Sequence, residues 1–311
     1  MLIQIPLGRA EQELVLLDSQ VTGVRLPVPM PAVPDPEMPV RETVASGLEK
    51  VMADKARRRG ASACIAATDR TRSTPLALIL PVLLDRLNAF GIADRGICVI
   101  SGGGMHAADC RTDLVQTLGQ SVLDRVEVLT NEPDNAAIQV LMGTSTLDTP
   151  VEVHRAVAEA DLKVGFILVN PCMLAGWSGD GKIVQPAISS RRSICANHRH
   201  FVADPMKLRC ASFMGVLPSD NTVRGDPEEC AQTAGIDLVI NTVLESQQRL
   251  VDLFCGDVVG VQRAAVDRMA PFVEVSLPEP IDVLSPRWAS QLSRSACSKV
   301  GRVSATAWIA I

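Results

Sequence analysis

Apolar and polar positions alternate in places over residues 2–18, at Leu2, Ile3 and Ile5 and then Leu14, Val15 and Leu16, a pattern that predicts a small hairpin. Prolines at 27, 29, 31, 34, 36 and 39 follow. Each removes a backbone donor and fixes φ, so residues 24–39 read as an extended strap on a surface. Residues 40–59 place Val44, Leu48, Val51 and Met52 at helical spacing and predict an amphipathic helix. Beyond this point short apolar runs alternate with helical ones. Residues 62–67 predict a strand, and residues 76–90 a helix with Ser73 or Thr74 as its cap and Pro75 in its first turn. Residues 96–100 predict a second strand, with Asp109 or Thr112 opening another helix. Strands are expected at 125–129, 138–142 and 162–169, with a helix at 150–160. A strand at 236–244, a paired one at 250–254 and a helix at 256–269 complete the pattern. This alternation predicts an α/β fold with a mostly parallel sheet covered by helices. In such sheets ligands bind outside the carboxyl ends of the strands. Residues 278–286 read as extended. Residues 287–311 lack clean periodicity and fit one weak helix and a frayed tail.

Composition narrows the function classes. The 311 residues carry a net charge of −5 with both signs interspersed, no Tyr and 3% aromatics. A nucleic-acid binder would show a basic patch and stacking platforms, so that class is set aside. The nine cysteines include no C-x-x-C pair. An odd, scattered set reads as reduced thiols in a cytoplasmic protein. No signal peptide and no membrane-spanning run is read from the sequence.

The chemistry concentrates at the expected strand ends. The loop Gly176-x-x-x-x-Gly181-Lys182 nearly matches a phosphate loop, but Ile183 stands where a magnesium-binding hydroxyl is needed and Pro186 would break the following helix. Two readings remain: a lysine presented into a pocket beside permissive glycines such as Gly176 and Gly179, or a solvated loop lysine. Asp69, Thr71 and Arg72 occupy a strand-to-helix loop. A guanidinium beside capping hydroxyls there either receives a phosphate or carboxylate or pairs locally with the aspartate. His106 follows Gly102, Gly103 and Gly104 at a strand end, a place suited to acid/base work or to a structural imidazole. Three glycines would also let backbone N–H groups approach a ligand. His154 reads as a surface residue of the 150–160 helix. His198, at the end of a helical segment starting at 186–190, is a possible metal ligand with no second ligand at regular spacing.

Taken together, Asp69-Arg70-Thr71-Arg72-Ser73-Thr74-Pro75, Gly104-Met105-His106, Ala175-Gly176-Trp177-Ser178-Gly179-Asp180-Gly181-Lys182 and Ala196-Asn197-His198 form an ordered series, extended by Phe254-Cys255-Gly256-Asp257. That series resembles the nickel-dependent lactate racemase family of 2-hydroxy-acid racemases and epimerases, over about residues 1–280, the family's N-terminal domain. The resemblance implies a Rossmann-like domain that holds a nickel-pincer nucleotide, a pyridinium mononucleotide with two sulfur-bearing arms. One arm is joined to the lysine matching Lys182, and the protein ligand of nickel matches His198. Asp69, Thr71, Arg72, Gly104, Gly176 and Gly179 match positions at the cofactor and substrate site. His106 matches one of two histidines that alternate as acid and base: a base takes the hydroxyl proton, hydride leaves Cα, and the planar 2-oxo acid receives it back on either face. A small 2-hydroxy-acid substrate and cofactor-synthesis proteins are the implied partners.

The chain departs from the family pattern in two places. Cys172 stands where the second catalytic histidine is expected, and it reads either as a poorer base or as a small buried residue. Residues 287–311 do not resemble the family's C-terminal domain, which closes over the cofactor and adds a substrate-binding lysine. The expected organisation is a cofactor-binding domain at 1–280 and an irregular tail at 281–311, the remnant of a missing second domain. Two functions follow as alternatives: a 2-hydroxy-acid racemase or epimerase, or a catalytically impaired module that holds the cofactor or a related nucleotide.

Overall fold

The computed structural model describes residues 2–7, 10–15, 17, 23–25, 28–55, 61–172, 175–202, 221–276, 284–286, 302–304 and 308–310. The end of the expected 40–59 helix and most of the expected tail lie outside these residues. The chain divides into two compact units, one of residues 31–267 and one of residues 1–30 with 268–311.

The expected N-terminal hairpin is present in the smaller unit as β1 (Leu2–Leu7) antiparallel to β2 (Ala10–Val15). A short strand, β3 (Gly23–Arg25), follows. The larger unit opens with α1 (Glu37–Lys55), which starts earlier than the proline count suggests because Pro39 falls in its first turn, where no amide donor is needed. Val40, Val44, Leu48 and Met52 form its buried stripe. Next come β4 (Ala63–Thr68), α2 (Leu76–Ala89), β5 (Ile97–Gly102), α3 (Arg111–Leu118), α4 (Gln120–Leu123) and β6 (Glu127–Thr130).

Two helix starts differ from expectation. No side chain caps α2; the Thr74 hydroxyl meets that of Thr68 at 2.8 Å instead. Cys110 precedes α3, with its N–H donated to Asp113 at 2.9 Å. Asp109 is spent on Ser101 and Arg70, at 2.7 and 2.6 Å.

The expected helix at 150–160 is mostly a strand. β7 (Gln139–Thr144) pairs antiparallel with β8 (Pro150–His154), apart from the main sheet, and only Arg155–Glu159 forms a short α5. The reason is local: Pro150-Val151-Glu152-Val153 alternates at period two and is rich in β-branched residues. His154 is therefore not a surface residue. It is buried, accepts the Ala156 N–H at 3.2 Å as the cap of α5, and burial holds its pKa below the ordinary value.

After α5 come β9 (Leu162–Leu168), β10 (Pro171–Cys172), β11 (Gly176–Trp177), α6 (Arg191–Val202), α7 (Thr222–Thr233), β12 (Leu238–Leu244), β13 (Leu250–Gly256) and α8 (Gly260–Val273). Strands β14 (Glu274–Ser276), β15 (Leu284–Pro286), β16 (Arg302–Ser304) and β17 (Trp308–Ala310) belong to the smaller unit, where β14 pairs with β16 and β17 lies between β15 and β3.

The six-stranded main sheet has the order β13-β12-β9-β4-β5-β6 and is parallel except for β13. One face packs on α1 and α2 through residues such as Ile65, Leu80, Leu83 and Phe166. The other packs on α5, α7 and the segment 183–188 through Ala66, Ile100, Val157, Ala231 and Ile188. This is the predicted helix-covered sheet. The chain runs outward from β4 through β5 to β6, then resumes on the other side of β4 with β9. The gap between β4 and β9 is thus a topological switch point, where doubly wound sheets open a crevice at their carboxyl edge. Among the described residues no helix is long and apolar enough to cross a membrane.

Phe166 is fully buried at the centre of this sheet. Phe166→Ala is expected to lower unfolding free energy by about 3–5 kcal/mol. Leu141→Ala, at a side chain 57% exposed, should change it by less than about 0.5 kcal/mol. Denaturant titration of the two variants checks the contrast.

Candidate functional site

Three loops leave the carboxyl edge of the sheet beside the switch point: 69–75 after β4, 103–110 after β5 and 169–182 after β9.

The first two loops are joined through Asp69. Its carboxylate is buried and divided between two partners: Oδ2 lies 2.7 Å from His106 Nδ1, and Oδ1 accepts the Thr71 hydroxyl at 2.7 Å. Arg72 Nη1 donates to that hydroxyl at 3.1 Å, and the guanidinium is exposed. The His106 side chain is 44% exposed. With Nδ1 turned to a carboxylate, the imidazole carries its proton on Nδ1 when neutral and has its lone pair on Nε2. The sequence left open whether Arg72 pairs locally with Asp69; the carboxylate instead holds His106 and Thr71, and Arg72 reaches Thr71.

The glycine run serves packing as well as access. A Cβ on Gly103 would lie 3.0 Å from Asp69 Oδ2 and 3.3 Å from His106 Cβ. The N–H of Gly104 is already given to Ala187 O at 2.9 Å, so that donor ties the loop to segment 184–188 instead of facing a ligand.

The third loop carries Cys172 and Lys182. Cys172, half-buried in β10, pairs directly with Gly176 in β11; residues 173 and 174 lie outside the described residues. The Ser178 hydroxyl accepts the Asn170 N–H at 2.7 Å and lies 2.9 Å from Leu168 O, which pins the base of the loop to the end of β9. Gly179 has φ +107°, open to glycine at little cost. Residues Asp180–Ile183 then form a 3-10 turn that presents Lys182, whose N–H bonds to Gly179 O at 3.1 Å. Gly181 packs so closely on α7 that a Cβ would lie 2.2 Å from Pro227 O.

Beneath Lys182 is a feature with no trace in the sequence reading. Asp180 and Arg224, both 0% exposed, form an ion pair. Burial pushes the Asp180 carboxyl up to about 7, against the pull of Arg224. Asn241 Oδ1 accepts the Asp180 N–H at 3.2 Å. Arg224 also reaches Gly179 O at 3.4 Å, and its helix is held by Glu228, which pairs with Arg263 at 2.7 Å. The available signal was Asn241 itself, an amide inside the apolar strand Leu-Val-Ile-Asn-Thr-Val-Leu.

His198 lies within α6, not at the end of a helix that starts near 186; residues 184–188 form a separate turn with a cis Gln185–Pro186 bond. Its Nδ1 donates to Ile194 O at 2.8 Å, which places the lone pair on Nε2. Burial holds its pKa below the ordinary value, and the Lys182 ammonium pushes the same way, so the neutral ring is favoured. The structure therefore brings Lys182 and His198 into one electrostatic neighbourhood. Asn197, next to His198, donates to Asp226 at 2.5 Å, and Asp226 also holds Thr149 at 2.8 Å, which locks α6 to α7 and to the β7–β8 turn.

Known proteins resemble this chain in sequence and in fold. A family model for the lactate racemase N-terminal domain matches residues 7–208. The lactate racemase of Lactiplantibacillus plantarum is 27% identical over 203 residues, 65% of this chain and 46% of the relative. That of Thermoanaerobacterium thermosaccharolyticum is 26% identical over 193 residues, 62% and 44%. The chain thus matches less than half the length of these relatives. Among solved structures, the lactate racemase apoprotein of T. thermosaccharolyticum superposes with a TM-score of 0.73 at 23% identity, covering 90% of this chain and 64% of that one. A Thermotoga maritima protein does so with a TM-score of 0.65 at 18% identity, covering 79% and 62%. At these identities the likeness shows the fold.

The buried pair yields a test. Arg224→Met leaves Asp180 buried without its counter-ion and is expected to cost about 3–5 kcal/mol. Without Arg224 the carboxyl titrates still higher, so the folded state holds a proton that the unfolded chain releases from about pH 3.8 upward. Stability is then lost as pH rises. Denaturant midpoints should show a larger deficit at alkaline than at mildly acid pH, and a deficit independent of pH would contradict the pairing.

Proposed function

The chain belongs to the lactate racemase N-terminal domain family, and from that membership we propose that it binds a nickel-pincer nucleotide between Lys182 and His198 and contributes to racemising or epimerising a small 2-hydroxy acid. The observation that carries this reading is the family match over residues 7–208, which includes Lys182 and His198, together with the His198 ring turned by Nδ1 toward Ile194 O. A ring that donates Nδ1–H to a backbone carbonyl and keeps its other lone pair is the usual state of a metal-binding histidine. The packing of Gly181 on Pro227 and the anchoring of Asp180 favour a tether position that does not drift. These residues fit the cofactor: Lys182 Nζ would carry the covalent link and His198 Nε2 would hold the nickel. When bound, the cofactor supplies a hydride acceptor for the substrate Cα.

The chain's own part is binding and proton handling. His106, oriented by Asp69, takes the substrate hydroxyl proton at Nε2. The exposed Arg72 receives the carboxylate, since guanidinium and carboxylate match as a charged fork. Thr71 keeps Arg72 and Asp69 in register. The loop glycines Gly104, Gly176 and Gly179 shape the walls.

One residue favours a second reading, in which the chain holds the cofactor with little turnover. Cys172 stands where a second imidazole is expected, and a thiol with a pKa near ~8.5 is mostly protonated at neutral pH.

Chain produced together with nickel-pincer synthesis proteins is expected to carry a mass adduct on Lys182 and bound nickel. Lys182→Ala should lack the adduct, and His198→Ala should keep the adduct and lose the metal. An unmodified Lys182 under those conditions rejects the proposal. With loaded protein, Cys172→His is expected to raise the interconversion of D- and L-lactate by roughly 10²-fold. Chiral chromatography reads this out, and an unchanged rate places Cys172 outside the acid/base pair.

A further inference from the structure

At the opposite edge of the sheet from the proposed site, two thiols sit side by side. Cys64 and Cys98 are direct partners in the parallel register of β4 and β5, each the second residue of its strand. Their side chains are hydrogen-bonded to each other. The row continues with Lys163 opposite Cys64 and Glu127 opposite Cys98. Cys64 is buried and Cys98 is partly exposed, so Cys98 is the member of the pair nearer to solvent.

We propose that Cys64 and Cys98 are a redox modification site, in which a hydroperoxide oxidises Cys98 and Cys64 closes a reversible disulfide. Adjacent strands are ~4.8 Å apart, within the Cα separations that disulfides span and slightly beyond their usual Cβ separation, so closing the bond strains the pair. A bond formed under such strain is the labile, readily reduced kind.

The two sulfurs have distinct roles. The hydrogen bond from Cys64 lowers the pKa of Cys98, against burial and Glu127. The Cys64 thiol is raised well above its ordinary value, first by that bond and then by burial. Cys98 is therefore the sulfur of the pair that ionises first, and Cys64 is the one that holds its proton. The Cys98 thiolate attacks one peroxide oxygen: an S–O bond forms, the O–O bond breaks, and hydroxide leaves and is protonated to water. The sulfur is now a sulfenic acid, oxidised by two electrons as the peroxide is reduced. The Cys64 sulfur then attacks the Cys98 sulfur. An S–S bond forms, the S–O bond breaks, and hydroxide departs with the Cys64 proton as a second water. A small dithiol reverses the step by exchange.

The pair lies five residues before Asp69 along β4, ~16 Å from the proposed catalytic end. The modification therefore does not occupy the binding crevice, and it crosslinks β4 to β5, the two strands whose ends carry Asp69 and His106. Cys255, by contrast, is pushed up to about 12 by burial and has no such partner role.

The test uses the full chain and hydrogen peroxide. After equimolar peroxide, denaturing alkylation and proteolysis, a Cys64–Cys98 crosslinked peptide should become the main form of these two residues, and dithiothreitol should abolish it. In Cys64→Ser, Cys98 should instead be trapped as sulfenic acid by a cyclic diketone. If that variant fails to fold, the crosslink in the unaltered chain decides alone. Recovery of Cys64 and Cys98 as alkylated thiols after the peroxide is consumed overturns the proposal, as does Cys98 linked to any other cysteine.

Discussion

The placement of Lys182 depends on one buried ion pair. Asp180 and Arg224 are both sealed from water, and a pair at that depth repays the loss of hydration poorly. Its value lies in position. Helix α7 acts as a template against which the loop 176–182 is cast: Arg224 holds Asp180 and reaches Gly179 O, and Pro227 admits only a glycine at 181. Asn241, from the central strand β12, fixes the amide of the same aspartate. Lys182 follows two residues later, so the direction of its side chain is set by groups that never face the crevice.

Topology explains why these pieces meet. A chain that winds outward from β4 and then restarts on its other side must leave a crevice between the loops after β4 and β9. Asp69 and the Lys182 loop are the contents of those two loops. His106 joins from β5, the next strand over, and is drawn in by the Asp69 carboxylate. Segment 184–188 closes the back of the group through Ala187 O on Gly104 N–H.

The sheet was legible in the sequence because its strands are short apolar runs bounded by loops, and burial of those runs is what the fold selects. Legibility failed where two periods compete. Residues 150–153 carry a period-two pattern too short to stand out against the helical reading of 150–160, and pairing with β7 completes the strand and buries His154. Helix α7 was invisible: Gly225 and Pro227 interrupt it, and its composition is polar. Its key residue could not be read either. Asp180 and Arg224 are 44 residues apart, and no local spacing rule links them. Lys182 and His198, by contrast, announce themselves by residue type and by family resemblance, and the fold does bring them together.

The contrast between His106 and Cys172 bears on how the proposed reaction would run. Asp69 fixes the tautomer of His106, so in the proposed reaction the imidazole would meet a substrate hydroxyl through Nε2. A thiol and an imidazole differ as hydrogen-bonding and proton-carrying groups: the neutral ring offers a lone pair, whereas the neutral thiol is a weak donor. A racemisation has an equilibrium constant of one, so kcat/KM must be equal in both directions whatever the two groups are. The two kcat values are not so constrained. Unlike groups on the two sides of the proposed site therefore leave room for a saturated rate that depends on the starting enantiomer.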